Sequence, residues 1–198
     1  MQSREINIEK LKVDAKTQEM IYRKFAPKMY GICLRFAGNK MEADDILQEG
    51  FIKVFTKLKD FRNEGSLEGW IRRTIINTAI NFYRRNIRNS RIQDIEGMEI
   101  QESTNLGIEN KISYEELIQL IQELPNGYRT VFNLNVIEGY THREIGEMLN
   151  ISDNTSKSQL TRARSILQKK VVALMHEKVT VPFEKFKVYR NTQVQFEQ

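Results

Sequence analysis

The chain has 198 residues, of which 40% are hydrophobic and 29% are charged. This balance is ordinary for a soluble helical protein and excludes a chain that is disordered throughout. The formal net charge of +5 suits a polyanionic partner without requiring one.

Helical periodicity dominates the sequence. Apolar residues recur at spacings of three and four over the long stretches between the three prolines, and alternation typical of strands is scarce. The sequence therefore predicts an all-α fold. A first block, residues 17–86, is divided into helices by GNK at 38–40 and by FRNEGS at 61–66.

An acidic amphipathic helix lies in MEADDILQEGFIKVFTKLKDF, within this first block. The apolar residues that recur at helical spacing predict its inward face: Ile46, Leu47, Gly50, Phe51, Val54, Phe55 and Leu58. The opposite face presents Asp44, Asp45, Gln48, Glu49 and Lys53. Taken alone, that face is most simply interpreted as a solvated surface.

A basic helix follows, with Ser66 as its N-cap, and is predicted from Leu67 to about Arg85. Its inward stripe comprises Trp70, Ile71, Thr74, Ile75, Thr78, Ala79 and Phe82. The other side carries Arg72, Arg73, Asn77, Asn81, Arg84 and Arg85. Basic and amide side chains interleaved on one helix are suited to a phosphate backbone and unstacked bases, and an ordinary surface helix is the alternative.

The chain changes character between Asn89 and Ser113, where no period is sustained and acidic residues accumulate. This composition predicts a linker. Beyond it, residues 114–124 form an amphipathic helix, Pro125-Asn126-Gly127 is a turn or helix start, and helical patterns continue to about Met175. The tail beyond them alternates in part and is open to interpretation as an edge strand or an extended arm.

A helix-turn-helix is the most specific local signal, in YTHREIGEMLNISDNTSKSQLTRARSIL at 140–167. Thr141 and Glu144 form a capping box that starts a short helix ending at Leu149. Gly146 is placed where the two helices cross most closely. Asn150 occupies the turn, where a left-handed backbone is required and Asn is the best substitute for Gly.

The second helix of this motif begins after Ser152 or Asp153, and Leu160, Ala163 and Leu167 pack it against the first. Its opposite face carries residue types that read DNA grooves and bind phosphates: Asn154, Lys157, Ser158, Gln159, Arg162 and Arg164. The alternative is a helical hairpin with a solvated cationic face. Ser156 does not fit, because its position is normally buried and aliphatic.

Catalytic and metal-binding patterns are missing from the sequence. The two histidines lie far apart, and no phosphate-binding loop, dinucleotide fingerprint or nucleophile elbow occurs. The adjacent Asp44 and Asp45 point about 100° apart on a helix and do not form one chelating site. We therefore expect neither an enzyme nor a metal, cofactor or small-molecule substrate.

Cysteine usage and hydropathy indicate the cellular compartment in which the protein works. Cys33 is the single cysteine and lies among apolar residues, which predicts a core position, excludes an internal disulfide and favours a reducing compartment. No run of about 18 apolar residues occurs. We expect a cytoplasmic protein.

The order of these elements resembles the extracytoplasmic-function sigma factors of bacterial RNA polymerase, over roughly residues 17–172. Residues 124–167, LPNGYRTVFNLNVIEGYTHREIGEMLNISDNTSKSQLTRARSIL, resemble the domain that reads the minus-thirty-five promoter element. DD-I-LQE-x-F-x-K-V-F resembles the surface that docks on the clamp of the polymerase beta-prime subunit.

The resemblance implies roles for residues of each surface. Polymerase contacts would be made by Asp44, Asp45, Gln48, Glu49 and Lys53. The loop 61–69 corresponds to a pocket for a base flipped out of the minus-ten element, and Asn63 and Glu64 are the candidate residues that read this base. The wall that holds the opened strand corresponds to Arg72, Arg73, Asn77, Asn81, Arg84 and Arg85. Minus-thirty-five contacts would be made by Arg143, Asn154, Lys157, Ser158, Gln159, Arg162 and Arg164.

The implied organisation is a clamp- and minus-ten-binding domain at 1–88, a linker at 89–112, a helix-turn-helix domain at 113–175 and a tail of unassigned role at 176–198. Partners would be core polymerase, through the beta-prime clamp and the beta flap, promoter DNA and, as in many relatives, an anti-sigma factor. Two other classes stay open: a DNA-binding regulator that is not a polymerase subunit, and an interaction adaptor. Burial of the cationic side of residues 154–164, or fusion of the two units into a single globule, would argue against the sigma interpretation.

Overall fold

The computed structural model describes residues 14–62, 65–90 and 112–180, and their elements are helical. The first domain contains α1 (Ala15–Phe36), α2 (Lys40–Lys57), a short 3-10 turn (Leu58–Asp60) and α3 (Leu67–Ser90). The second contains α4 (Tyr114–Gln122), α5 (Asn126–Phe132), which continues into a π-helical segment (Asn133–Ile137), then α6 (His142–Leu149) and α7 (Asp153–Thr180). The predicted all-α fold with two helical domains is confirmed.

Side-chain caps explain where several helices begin. Asp14 accepts a hydrogen bond from the backbone N–H of Thr17, and Asn39 accepts one from Glu42. Ser113 forms a capping box with Glu116 at the start of α4. Each cap satisfies a backbone donor that the first turn of a helix would otherwise leave unpaired.

The first domain packs its three helices around a core that includes Ile21, Met29 and Cys33 from α1, and the sequence prediction that Cys33 lies in the core is confirmed. At Gly50 of α2, a Cβ would lie 2.3 Å from Cδ1 of Ile75 in α3. A larger residue there would force the fully buried Ile75 side chain to shift.

Two helix boundaries in the structure differ from those predicted. Helix α3 continues to Ser90, past the predicted end near Arg85, and α7 continues to Thr180, past Met175. Both extensions are polar or weakly amphipathic, so apolar periodicity gave no signal for them. The rest of the linker, 91–111, and the tail beyond 180 lie outside the described residues.

The buried stripe of α3 is wider than predicted. Ile76, Ile80 and Tyr83 are buried in addition to Ile71 and Ile75, whereas Trp70 and Phe82 are only half-buried. The reason is that α3 packs on α1 and α2 and also contacts α5 and α6 of the second domain.

The two domains pack against each other, which the sequence did not predict, but the helices of each still pack mainly on one another, so the units remain two domains and are not fused into one globule. Buried apolar residues of both belong to one continuous cluster, and α1 contacts α4 and α5. Polar side chains carry much of this contact. Gln122 donates to the carbonyl oxygen of Leu34 at 3.0 Å, Asn133 to that of Arg35 at 2.8 Å, and Arg129 to that of Phe36 at 3.1 Å.

Candidate polymerase and nucleic-acid interfaces

The acidic face of α2 is exposed, as its amphipathic pattern predicts. Asp44, Asp45 and Gln48 are exposed, and Asp45 makes no hydrogen bond or ion pair with any described residue. The Asp44 carboxylate accepts a hydrogen bond from the phenol of Tyr30 on α1. Burial and this hydrogen bond raise the pKa of Tyr30. The face therefore presents the free carboxylate of Asp45 next to the Asp44 carboxylate that Tyr30 holds.

Glu49 lies at the edge of this face and joins α2 to α3. Its carboxylate accepts hydrogen bonds from Arg85 Nη2 at 2.5 Å and from Lys53 Nζ at 2.7 Å. These contacts lower the pKa of Glu49 from its ordinary 4.5 to about 2, with the Arg85 hydrogen bond as the largest cause. Glu49, Lys53 and Arg85 therefore form one ionic cluster, although the sequence analysis assigned them to two different surfaces.

A groove of about 640 Å³ runs along the basic side of α3. Four of the residues predicted to hold the opened minus-ten strand line this groove: Arg73, Asn77, Asn81 and Arg84. The lining also includes Lys53 and Lys57 of α2, Trp70 of α3 and Met148 of the second domain. Amide and cationic side chains beside an indole ring can hold a phosphate backbone and stack a base.

The loop before α3 is only partly described. Asn63 and Glu64, the candidate base-reading residues, lie outside the described residues. On either side of them, Phe61 packs on Trp70 with 5.5 Å between ring centroids, and Gly65 has a φ of 99°. Ser66 accepts a hydrogen bond from the backbone N–H of Gly69 at 3.0 Å, which confirms it as the cap of α3.

Arg72, a further predicted strand-binding residue, lies outside the groove lining. Its Nε and Nη2 donate to one carboxylate oxygen of Glu138, Nε at 3.0 Å and Nη2 at 2.6 Å. Arg84 also donates to the second domain, through the carbonyl oxygen of Met148. Two of the first domain's predicted DNA contacts therefore bind the second domain in this structure.

The helix-turn-helix has the geometry that its sequence predicts. Thr141 and Glu144 form both halves of the capping box. Asn150 adopts a left-handed backbone with φ of 56°. A Cβ on Gly146 would lie 2.8 Å from the carbonyl oxygen of Ile151, so glycine is required at the crossing.

The cationic side of α7 faces outward. Asn154, Lys157, Ser158, Arg162 and Arg164 are exposed, and so is Arg143 on α6. Lys157 pairs with Asp153 at 2.7 Å and Arg162 donates to the Tyr128 hydroxyl at 3.2 Å, so these side chains are held at the surface without being buried. This surface is free to enter a DNA major groove.

Gln159 differs from the rest of that set. It is half-buried, and its amide lies 3.4 Å from the position of a Cβ on Gly127, which Tyr83 of the first domain also approaches. Its Oε1 has no hydrogen-bond partner. In this packing Gln159 therefore points toward the domain contact rather than outward with Lys157 and Arg162.

Ser156, the misfit in the sequence pattern, is fully buried, and its hydroxyl lies 2.9 Å from Nδ1 of His142. A polar pair thus occupies the space between α6 and α7 where an aliphatic contact is usual. A serine at a normally aliphatic position indicated an unusual contact between the two helices. Its partner, His142, lies 14 residues earlier in the chain and could not be identified from residue spacing.

Glu138 and Arg129 are two charged residues of the domain contact that sequence reasoning missed. The Glu138 side chain is 3% exposed and pairs with Arg35 and Arg72. Arg129 is buried and donates to four acceptors: the carbonyl oxygens of Phe36, Gln122 and Leu124 and the side-chain oxygen of Asn126. Desolvation by burial lowers the pKa of Arg129. Both residues stabilise the contact between the domains.

Within the described ranges, no group of three or more His, Cys, Asp or Glu side chains is arranged to hold a metal ion. None of the described helices combines the length and hydropathy that a membrane span requires.

Comparison with known proteins identifies both domains. The family model for Sigma-70 region 2 matches residues 21–89, and the model for Sigma-70, region 4 matches residues 114–167. These two ranges include the α2 face, the α3 groove and the helix-turn-helix.

Curated relatives match over most of their length. The extracytoplasmic-function (ECF) sigma factor SigW of Bacillus subtilis is 30% identical over 158 residues, which are 74% of this chain and 84% of SigW. The sigma-H factor of Pseudomonas aeruginosa is 28% identical over 176 residues, 83% of this chain and 91% of the relative. The ECF sigma-E factor of Haemophilus influenzae is 27% identical over 174 residues, 82% of this chain and 91% of the relative.

Among solved structures, the sigma factor RpoE in complex with the anti-sigma factor NepR from Bartonella quintana is similar with a TM-score of 0.47 and 18% identity, covering 78% of this chain and 96% of that one. The two domain matches and the likeness to SigW together show that this chain belongs to the extracytoplasmic-function family of RNA polymerase sigma factors, which direct core polymerase to promoter DNA.

Proposed function

We propose that this sigma factor acts through three surfaces, two of which share Lys53 at their boundary. The exposed acidic face of α2, with Asp44, Asp45, Gln48, Glu49 and Lys53, docks on the beta-prime clamp. The basic side of α3 holds the opened strand of the minus-ten element. The cationic side of α7, with Arg143 on α6, reads the minus-thirty-five element in the major groove.

The observation that carries this proposal is the exposure of the cationic side of α7 beside a second basic surface on the same chain. Asn154, Lys157, Ser158 and Arg162 are all exposed on the helix that follows the Asn150 turn. The second surface, the α3 groove, is lined by Arg73, Asn77, Asn81 and Arg84. A chain with two nucleic-acid surfaces can hold two promoter elements at once, provided that polymerase sets their separation.

Opening of the minus-ten element requires energy that this chain must help to supply. Unstacking and unpairing a base costs a few kcal/mol, and stacking on an aromatic ring together with hydrogen bonds to the extruded base offsets it. Trp70 and Phe61 provide aromatic surface next to the loop that holds Asn63 and Glu64. We propose that Asn63 and Glu64 read the flipped base.

The chain makes no covalent chemistry of its own under this proposal, since the polymerase forms the phosphodiester bonds. It acts in the cytoplasm, where its polymerase and promoter DNA are found. The helix-turn-helix domain contacts the beta flap of the polymerase, and an anti-sigma factor is a further partner, as in the Bartonella quintana complex.

Run-off transcription with purified core polymerase and a library of promoter fragments tests this function. We expect transcripts that start at a defined subset of fragments and that require both core and this protein. Folded protein at saturating concentration that gives no transcript above core alone would contradict the proposal. A regulator that is not a polymerase subunit would instead bind specific duplexes without core.

A further inference from the structure

The helix-turn-helix contains one polar contact at a place where apolar packing is usual. Ser156 lies one turn into α7 and is fully buried. Its hydroxyl oxygen is 2.9 Å from Nδ1 of His142, the first residue of α6. The pair therefore joins the beginnings of the two helices of the motif.

The hydrogen bond of this pair runs from the serine to the imidazole. Among the described residues, the Ser156 hydroxyl has no partner other than Nδ1 of His142. If Nδ1 carried the ring proton, the buried hydroxyl proton would have no acceptor, and an unpaired buried polar group is costly. Nδ1 is therefore the acceptor, and the neutral ring carries its proton on Nε2.

A hydrogen bond restrains two helices more than an aliphatic contact does. Apolar burial is non-directional, so it tolerates a small rotation of one helix against the other, whereas a hydrogen bond weakens steeply with angle. Gly146 provides a second fixed point, because a Cβ there would lie 2.8 Å from the carbonyl oxygen of Ile151 in the turn. The start of α7 is thus held both at the turn and at the His142–Ser156 pair.

Residues proposed to read the minus-thirty-five element lie next to Ser156 in the chain. Asn154, Lys157 and Ser158 are within two positions of it, and all three are exposed. In a helix-turn-helix, the first residues of the second helix contact the base edges. A rotation that moves these side chains by about 1 Å is enough to break a hydrogen bond to a base.

We propose that His142 and Ser156 form a positioning pair for recognition of the minus-thirty-five element. Their hydrogen bond sets the rotation of α7 at which Asn154, Lys157 and Ser158 meet the base edges, and neither member of the pair needs to touch DNA. This inference rests on the proposed role of α7 in reading that element.

Run-off transcription with core polymerase and two templates tests the inference. The templates carry the same selected promoter and compete in one reaction, but the minus-thirty-five element of one is scrambled. The ratio of the two transcripts measures recognition of this element, and it does not depend on how much of the protein is active, because both templates draw on the same pool.

Four variants change the pair itself. Ser156→Ala and His142→Phe each remove one partner of the hydrogen bond, and a double variant removes both. His142→Asn is the conservative change, because its amide oxygen is an acceptor close to the position of Nδ1.

Two further variants are controls that separate positioning from stability. Ser165→Ala removes a hydroxyl from an exposed position of the same helix. Ile145→Val removes a methyl group from a fully buried side chain of α6, so it destabilises the motif without touching the pair. Urea unfolding followed by circular dichroism ranks all of the variants by stability.

We expect Ser156→Ala and His142→Phe each to lower the transcript ratio about fivefold or more, and the double variant to match them, because the same hydrogen bond is lost in all three. His142→Asn and both controls should stay within about twofold of the unsubstituted protein.

Three results would overturn the inference: an unchanged ratio in Ser156→Ala, losses that multiply in the double variant, or a loss in Ile145→Val equal to that in Ser156→Ala. If Ser156→Ala does not fold, the contrast between His142→Phe and His142→Asn decides, and equal ratios for these two would contradict the pair. A failure of the proposed function would show separately, as absent transcripts, or equal transcripts from the two templates, with the unsubstituted protein.

Discussion

Arg129 in the second domain donates a hydrogen bond to the carbonyl oxygen of Phe36, the last residue of α1, 93 residues earlier in the chain. One side chain thereby caps a helix of the other domain while it also binds three acceptors between the end of α4 and the start of its own helix. The stability of both domains is coupled through this residue.

Arg129→Met should lower the free energy of unfolding by about 3 kcal/mol, because buried acceptors lose their donor while the apolar stem is retained. Urea unfolding followed by circular dichroism measures this change. Arg62→Met is the matched control, since Arg62 is exposed and makes no described ion pair or hydrogen bond. Equal midpoints for the two variants would show that Arg129 contributes no more than a surface arginine.

Asp45→Lys should weaken binding to core polymerase about tenfold or more, since it reverses a charge at the centre of the proposed docking face. Asp45 is a cleaner position than Glu49, because Glu49 also pairs with Arg85 on α3. Fluorescence anisotropy of labelled protein with core polymerase gives the affinity. Asp60→Lys makes the same charge change at another exposed position, and an identical loss in that variant would refute the docking assignment.

Glu49→Gln should flatten the dependence of stability on pH in the acid range. The folded-state pKa of Glu49 is about 2, below its ordinary 4.5. Its contribution is therefore fully present above pH 4.5 and is lost as the pH falls toward 2. Unfolding midpoints measured between these limits should fall more steeply for the unsubstituted protein than for the variant. Parallel curves would contradict the ionic cluster.

Cys33 should resist thiol reagents while the protein is folded. The side chain is fully buried, and desolvation raises the pKa of its thiol to about 12. Alkylation by iodoacetamide at pH 8 should be slower than in urea by on the order of 100-fold or more, because modification requires opening of the core. Equal rates in both conditions would show that α1 does not stay packed.

Lys157→Glu and Arg162→Glu should each reduce transcription from a selected promoter about tenfold or more, because each would replace a proposed contact to phosphate or base with a repulsive charge. Lys169→Glu, an exposed position farther along α7, is the matched control. Run-off assays on one template compare the three proteins. An adaptor that does not bind DNA through α7 would leave all three equally active.

Local features of the helix-turn-helix were predictable from the sequence. The Thr141 cap, the Gly146 crossing and the Asn150 turn each depend on residues within a few positions of one another, and all three occur as predicted. Their physics is steric or involves one hydrogen bond, so neighbouring residue types suffice to identify them.

Contacts between the domains were not predictable in this way. Arg72 and Glu138 are 66 residues apart, with the 91–111 segment between them, and neither stands out from an ordinary surface charge. The same contact explains the wider buried stripe of α3 and the half-buried Gln159. One residue pattern on a helix cannot show that a second domain will cover its other side.

Retention of promoter DNA in a native gel tests whether this protein binds a promoter only together with core polymerase. A fragment selected by run-off transcription is mixed with this protein, with core polymerase, or with both. We expect a sequence-specific complex that resists competitor DNA only when both proteins are present. A complex of equal strength and specificity with this protein alone would contradict it and would favour a regulator that works without polymerase.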